Sequence, residues 1–189
     1  MSWTKPVVDV ARPARMLGAA AAALALVWAG AAQAEVSRAS DAGFALSYAV
    51  TAPAAPETAY RALARIDRWW SPAHTYSGDA TALSLRPAAG GCFCERWPGG
   101  TVEHARVVAA VPGQTLRLAG GFGPLQQMGV SAALTFALEE TPEGVRIAAT
   151  YEVVGRPDQN LAALAPIVDR VLGEQMGRLE RYLRTGRAG

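Results

Sequence analysis

Histidine, cysteine and lysine are nearly missing from this chain. Its 189 residues hold two histidines (His74 and His104), two cysteines (Cys92 and Cys94) and one lysine, Lys5. A metal site would need ligands beyond these, because a closed zinc site takes four, so no metal is expected. Catalytic signatures are missing too. There is no H-E-x-x-H, no C-x-x-C, no dinucleotide fingerprint, no Ser-His-Asp order and no serine in a nucleophile elbow. A hydrolase is not expected on that ground, and no cofactor is expected. Net charge is missing from the body of the chain. Three of the 18 basic residues and one of the 16 acidic ones precede residue 35, leaving 15 of each sign from residue 35 onward. A neutral body has no field for a polyphosphate, so nucleic acid is not an expected partner. Disorder is excluded by a hydrophobic content of 51% against 18% charged.

The N-terminus supplies the first positive signal. Lys5, Arg12 and Arg15 precede a 15-residue apolar run, Met16 to Gly30, and Ala32-Gln33-Ala34 follows it. A basic lead, a short apolar core and a small-residue exit read as a secretory signal peptide over 1–34, cleaved after Ala34. Fifteen residues make a helix of about 22 Å, short for a bilayer core of about 30 Å. No cysteine follows the run and no Arg-Arg pair precedes it, so neither a lipid anchor nor twin-arginine export is indicated. The mature protein is expected in the periplasm or secreted, with no stable membrane span once the signal is removed.

In the mature chain, residues 35–41 are polar and read as a flexible lead-in. Residues 44–50 alternate at period two, as a strand does. A short helix is expected over 57–66, with Tyr60, Leu63 and Ala64 on its apolar side and Trp69-Trp70-Ser71-Pro72 closing it. Strand signals then recur at 81–87, 92–97, 101–111, 114–120, 129–140 and 144–154, separated by Gly and Pro clusters. From Leu161 to Leu183 apolar residues recur at three- and four-residue spacing, the mark of a long amphipathic helix. Pro166 is expected to start or kink its main segment. The fold class is therefore α+β: about seven antiparallel strands that cannot bury their inner face alone, gripping one long C-terminal helix. A curved sheet around a helix leaves a cavity, the default place for a ligand.

This order, together with Pro56-Glu57 through Trp69-Trp70-Ser71-Pro72, resembles the helix-grip (SRPBCC) superfamily over residues 42–185. That group includes START lipid-transfer domains, the birch-pollen allergen and polyketide cyclases. Gly90-Gly91-Cys92-Phe93-Cys94-Glu95 is similar to the G-G-x-F-x-E hairpin of the branch related to the activator of the ninety-kilodalton heat-shock ATPase. The resemblance implies the fold. It does not carry the heat-shock role across, since an exported protein would not meet a cytosolic ATP-driven chaperone.

Few residues could carry chemistry. With Gly99-Gly100 as a two-residue turn, Trp97 faces Val102, Arg96 faces Glu103 and Glu95 faces His104. Phe93, Glu95, Trp97 and His104 then share one face. That face reads either as a cavity wall, where Glu95 and His104 orient a ligand hydroxyl or act as acid and base, or as a pair satisfying itself. His74 and Tyr76 lie on the loop after the tryptophans and either donate to a ligand or pin the loop. Of Trp69 and Trp70, adjacent at a helix end, one is expected in the core and the other, Trp70, as a wall or lid. The Gly-rich stretch 119–131 exposes Phe122 and reads as a long connection or an apolar gate. Cys92 and Cys94 share a strand face and are expected to be reduced, packed thiols, with a strained disulfide as the alternative, because a strand holds i and i+2 further apart than disulfide geometry favours. The best reading is a binder of a small hydrophobic or amphipathic molecule, contacted by Trp70, His74, Tyr76, Phe93, Glu95, Trp97 and His104. The alternatives are a cyclase, dehydratase or isomerase using Glu95 and His104, and an interaction domain without a ligand.

Overall fold

The computed structural model describes residues 35–189, and the expected signal peptide, 1–34, lies outside the described residues. In chain order the elements are β1 (Glu35–Ser40), β2 (Gly43–Ala52), α1 (Pro56–Ala64), α2 (Ile66–Trp69), β3 (Leu83–Leu85), β4 (Cys92–Trp97), β5 (Gly100–Val111), β6 (Thr115–Ala119), β7 (Ser131–Thr141), β8 (Gly144–Val154) and α3 (Leu161–Thr185). The strands form one antiparallel sheet in the order β1-β2-β8-β7-β6-β5-β4-β3. The sheet curves around α3, and the molecule has the helix-grip fold.

Side-chain alternation sets which face of the sheet is buried. In β8, Val145, Ile147, Ala149, Tyr151 and Val153 are buried while Arg146, Thr150 and Glu152 are exposed. β7 repeats the pattern with Ala132, Leu134, Phe136 and Leu138. These rows meet the buried stripe of α3, formed by Leu161, Ala165, Leu172, Met176 and Leu179. Side chains spaced three and four residues apart lie on one side of a helix, so a single stripe covers the concave face.

Three differences from the sequence reading have local causes. Residues 35–40 are not a loose lead-in but an edge strand, which makes eight strands rather than about seven. β1 pairs with β2 from Glu35 opposite Ser47 to Ser40 opposite Gly43. Val36 to Ser40 are exposed, so the strand is held by backbone pairing and leaves no apolar alternation to read. The expected 57–66 helix is two pieces, broken at Arg65. The C-terminal helix runs unbroken through Pro166. Pro166 lies in its second turn, so the missing N–H removes one bond, to the Ala162 carbonyl, and neighbouring bonds carry the helix on.

The segment between α1 and β3 is fastened to α3. Trp69 Nε1 donates to the Ala62 carbonyl at 3.1 Å, Ser71 N donates to the buried Gln175 Oε1 at 2.8 Å, and Arg178 Nε donates to the Trp69 carbonyl at 2.8 Å. Packing of α3 should dominate stability. Leu179→Ala, at a fully buried site, is expected to cost about 2–5 kcal/mol. Glu152→Ala removes only an exposed 4.0 Å contact with Arg38 and should cost less than about 0.5 kcal/mol. Urea denaturation of both variants checks this, and equal losses would contradict it.

Candidate functional site

The β4–β5 hairpin turns at Pro98-Gly99, one residue earlier than the sequence reading placed it. Trp97 pairs with Gly100, Arg96 with Thr101 and Glu95 with Val102. Proline pre-sets the first turn position and Gly99 takes the second at φ +100°, a backbone region that favours glycine. The expected Arg96–Glu103 pair therefore does not form. Arg96 donates to Ser84 Oγ at 3.2 Å, and Glu103 accepts from Arg106 Nε at 3.1 Å. Glu95 and His104 are not directly opposite, yet they meet. Cys94 pairs with Glu103 and Phe93 with Ala105, so His104 sits alone in a β-bulge. The bulge leaves His104 and Ala105 buried in succession and sets His104 Nε2 3.0 Å from Glu95 Oε2.

Glu95 is fully buried. Its Oε2 also accepts from Tyr76 N at 3.0 Å, and its Oε1 from Ser77 N at 2.5 Å. One carboxylate thus ties the 76–77 loop to the sheet and to His104. Burial alone would raise its pKa, but the hydrogen bonds from Ser77, Tyr76 and His104 outweigh that and hold it below the usual carboxylate range. His104 is held below its ordinary value, by burial first, with Glu95 offsetting only part of the shift. The pair at rest is a carboxylate and a neutral imidazole.

The cysteines overturn the reduced-thiol expectation: Cys92 and Cys94 form a disulfide. In a fully extended strand, i and i+2 are about 6.6 Å apart. Here the Cα–Cα distance is 5.3 Å, closer to the commonest disulfide spacing of about 5.5–6 Å, where β4 passes the bulge. Both sulfurs lie near Glu103, but bonded to each other they offer no thiolate to a metal.

A pocket of about 470 Å³ opens at one end of the grip. One wall is the first half of α3: Leu164, Ile167, Val168, Val171 and Leu172. His74, Thr75 and Tyr76 form a second wall, and Phe122, Gly123, Pro124 and Gln127 a third, with Trp70 and His104 also lining it. Aromatic rings form a continuous cluster at its base. Trp70 lies 5.5 Å from Phe93, Phe93 4.7 Å from His104, and His104 5.8 Å from Tyr76, between ring centroids. Deeper, between sheet and helix, a void of about 10 Å³ is bounded by Trp69, Trp70, Phe136, Leu172 and Met176. That holds at most one water. The larger of these two spaces is at the mouth of the grip.

Of the residues singled out in the sequence, Trp70, His74, Tyr76 and His104 line this pocket together. Glu95 and Phe93 stand directly behind them, while Trp97 lies over the hairpin turn against Gly100. Trp69 takes the core position of the tryptophan pair. His74 bonds Glu174 Oε2 at 3.0 Å and so pins the loop to α3 rather than to the sheet. Burial would raise the Glu174 pKa, but Ser71, His74 and Arg178 lower it on balance. The sequence reading did not single out the α3 wall as contacts, nor Thr75, Pro124 or Gln127. For the wall a signal lay in the sequence: Ile167 is an apolar residue off the three- and four-residue stripe, and the structure leaves it 49% exposed in the pocket lining.

No protein-family profile and no curated protein sequence matches the chain. Solved structures do. The Aha1 dimer from Colwellia psychrerythraea is similar with TM-score 0.54 and 18% identity over 75% of this chain and 97% of that one. CalU16 from Micromonospora echinospora is similar with TM-score 0.52 and 13% identity, over 82% and 85% of the two chains. DynU16, from the dynemicin biosynthetic locus, gives TM-score 0.57 and 19% identity over 76% of this chain and 48% of that one. At these identities the likeness establishes the fold alone.

The Glu95–His104 pair should make stability pH-dependent. The unfolded chain takes up a proton at His104 near 6.5 and at Glu95 near 4.5, whereas the folded protein does so only at lower pH. The unfolded state then binds more protons, so stability falls as pH falls, first below about 6.5 and again below about 4.5. Urea denaturation across this range should show both losses, and His104→Gln should remove the upper one. An upper loss that survives in His104→Gln would contradict the assignment.

Proposed function

We propose that this chain binds a small hydrophobic or amphipathic molecule at the mouth of the helix grip, and that the mature protein does so after export to the periplasm or beyond. The observation that carries the reading is the 470 Å³ pocket itself. Its size suits a small ligand, and its longest wall is the aliphatic face of α3. Each 100 Å² of apolar ligand surface removed from water there is worth about 2.5 kcal/mol. Export is supported by the basic, apolar and small-residue blocks of 1–34. No helix among the described residues is long and apolar enough to cross a membrane.

A second reading, a cyclase, dehydratase or isomerase, draws on one feature. His104 lines the pocket with a buried carboxylate behind it, the arrangement of a base and its orienting group. We rank it second because the hydroxyls of Thr75 and Tyr76, which could serve as the partner acid, both donate to protein acceptors. The interaction-domain reading expects a collapsed cavity, and the open pocket gives it no support.

The binding reading is tested with N-phenyl-1-naphthylamine, which fluoresces when it enters an apolar site. The wild-type protein should bind it saturably. Val168→Arg, which sets a charge in the aliphatic wall, should weaken binding by about tenfold or more. Val108→Arg, at a 51% exposed position on β5 outside the pocket, should leave it unchanged. Equal binding by all three proteins would contradict the reading.

A further inference from the structure

The polar groups around the pocket are almost all engaged. Trp70 Nε1 donates to the His74 carbonyl, Thr75 Oγ1 to the Pro72 carbonyl and Tyr76 Oη to Gln126 Oε1, while His74 is paired with Glu174. Gln127 lies exposed at the rim. His104 differs from all of these. Its Nε2 faces Glu95 Oε2, an atom that also accepts from Tyr76 N. A carboxylate only accepts hydrogen bonds, so the imidazole proton must lie on Nε2. A neutral ring then has a bare lone pair on Nδ1. That nitrogen has no protein partner among the described residues, and it is not among the sealed, unpartnered side-chain atoms, of which Tyr60 Oη is the one found. It is therefore not sealed, and the pocket is the open space that His104 lines.

We infer that His104 Nδ1 is a hydrogen-bond acceptor for a hydroxyl on the ligand, so that the pocket selects neutral hydroxylated hydrophobes, phenols and alcohols, over the corresponding hydrocarbons and carboxylates. This rests on the pocket being a site for an apolar molecule. The geometry supplies both halves of the selection. The Tyr76 ring, 5.8 Å from the imidazole, and the aliphatic wall of α3 across the pocket would seat an aromatic or aliphatic body beside the nitrogen. A ligand hydroxyl donates a hydrogen bond to Nδ1 and keeps its own proton, whereas a hydrocarbon leaves the lone pair desolvated and unpaired. A ligand carboxylate would bring acceptor to acceptor, with the buried Glu95 charge behind the ring adding repulsion. The clamp on the loop amides keeps Glu95 in place, so the tautomer is set before any ligand arrives.

Three matched probes test this near neutral pH: 4-phenylphenol, biphenyl and biphenyl-4-carboxylate. Wild-type protein should bind the phenol about tenfold more tightly than biphenyl, and the carboxylate more weakly than either. In His104→Phe the phenol-to-biphenyl ratio should fall to about one. A second readout needs no variant. In ¹⁵N NMR of the wild-type protein, the His104 ring should show one protonated and one bare nitrogen, and the phenol should move the bare resonance while biphenyl does not. Binding without preference for the hydroxyl, tighter binding of the carboxylate, or a ring protonated on both nitrogens would overturn the inference and leave the apolar site standing. Failure of all three probes to bind would remove the site itself, and the inference with it.

Discussion

A single buried carboxylate organises the functional end of this molecule. Glu95 points inward from β4 with no exposure to water. A lone charge in that position would cost several kcal/mol. It is tolerated because two backbone amides from one loop and one imidazole from the neighbouring strand all meet it. Remove it and three things lose their reference point: the path of the 72–79 loop, the position of Tyr76 at the rim, and the tautomer of His104. The wall of the pocket, the rim and the polar spot inside it therefore share one anchor.

That anchor also explains where the open space is. Beside Leu172 and Met176 of α3, the side chains of Trp69 and Phe136 bound a void of only about 10 Å³. At the end where the loop is drawn toward Glu95, His74 reaches Glu174 on the helix surface and Trp70 turns its indole N–H back to the loop. These contacts hold the loop beside α3 without letting it collapse onto Val168 and Val171. A loop held from two sides can stand over an apolar face that would otherwise close by hydrophobic contact.

Much of this was legible in the residues, and the failures have definite causes. Strand alternation in Val145 to Val153 and helical spacing in Leu161 to Leu183 are long, regular signals, and they place the sheet and the helix. Edge strand β1 carries no such signal, because Val36 to Ser40 are exposed and it is held by backbone pairing and by polar side chains such as Ser37 and Ser40. The hairpin register failed by one residue, since Pro98-Gly99-Gly100 offers two adjacent turns and the choice depends on which glycine takes positive φ. Glu95 and His104 were expected as a directly opposed pair; they meet through a bulge instead, and bulges have no simple sequence mark. The same irregular stretch brings Cys92 and Cys94 to 5.3 Å, which regular strand geometry forbids. Site residues on loops, such as Thr75 and Gln127, follow from tertiary placement alone. Ile167 could have been found, as an isoleucine next to the buried stripe of an otherwise amphipathic helix.

The account stands on the pocket at the mouth of the grip being occupied in the cell. Native mass spectrometry of the protein purified from its own cells, before and after solvent extraction, measures that directly. The account predicts a stoichiometric extra mass on the wild-type protein that extraction removes and that Val168→Arg, prepared in the same way, does not carry. A wild-type protein that comes out bare, or an adduct held equally by the protein with its pocket wall charged, would contradict it.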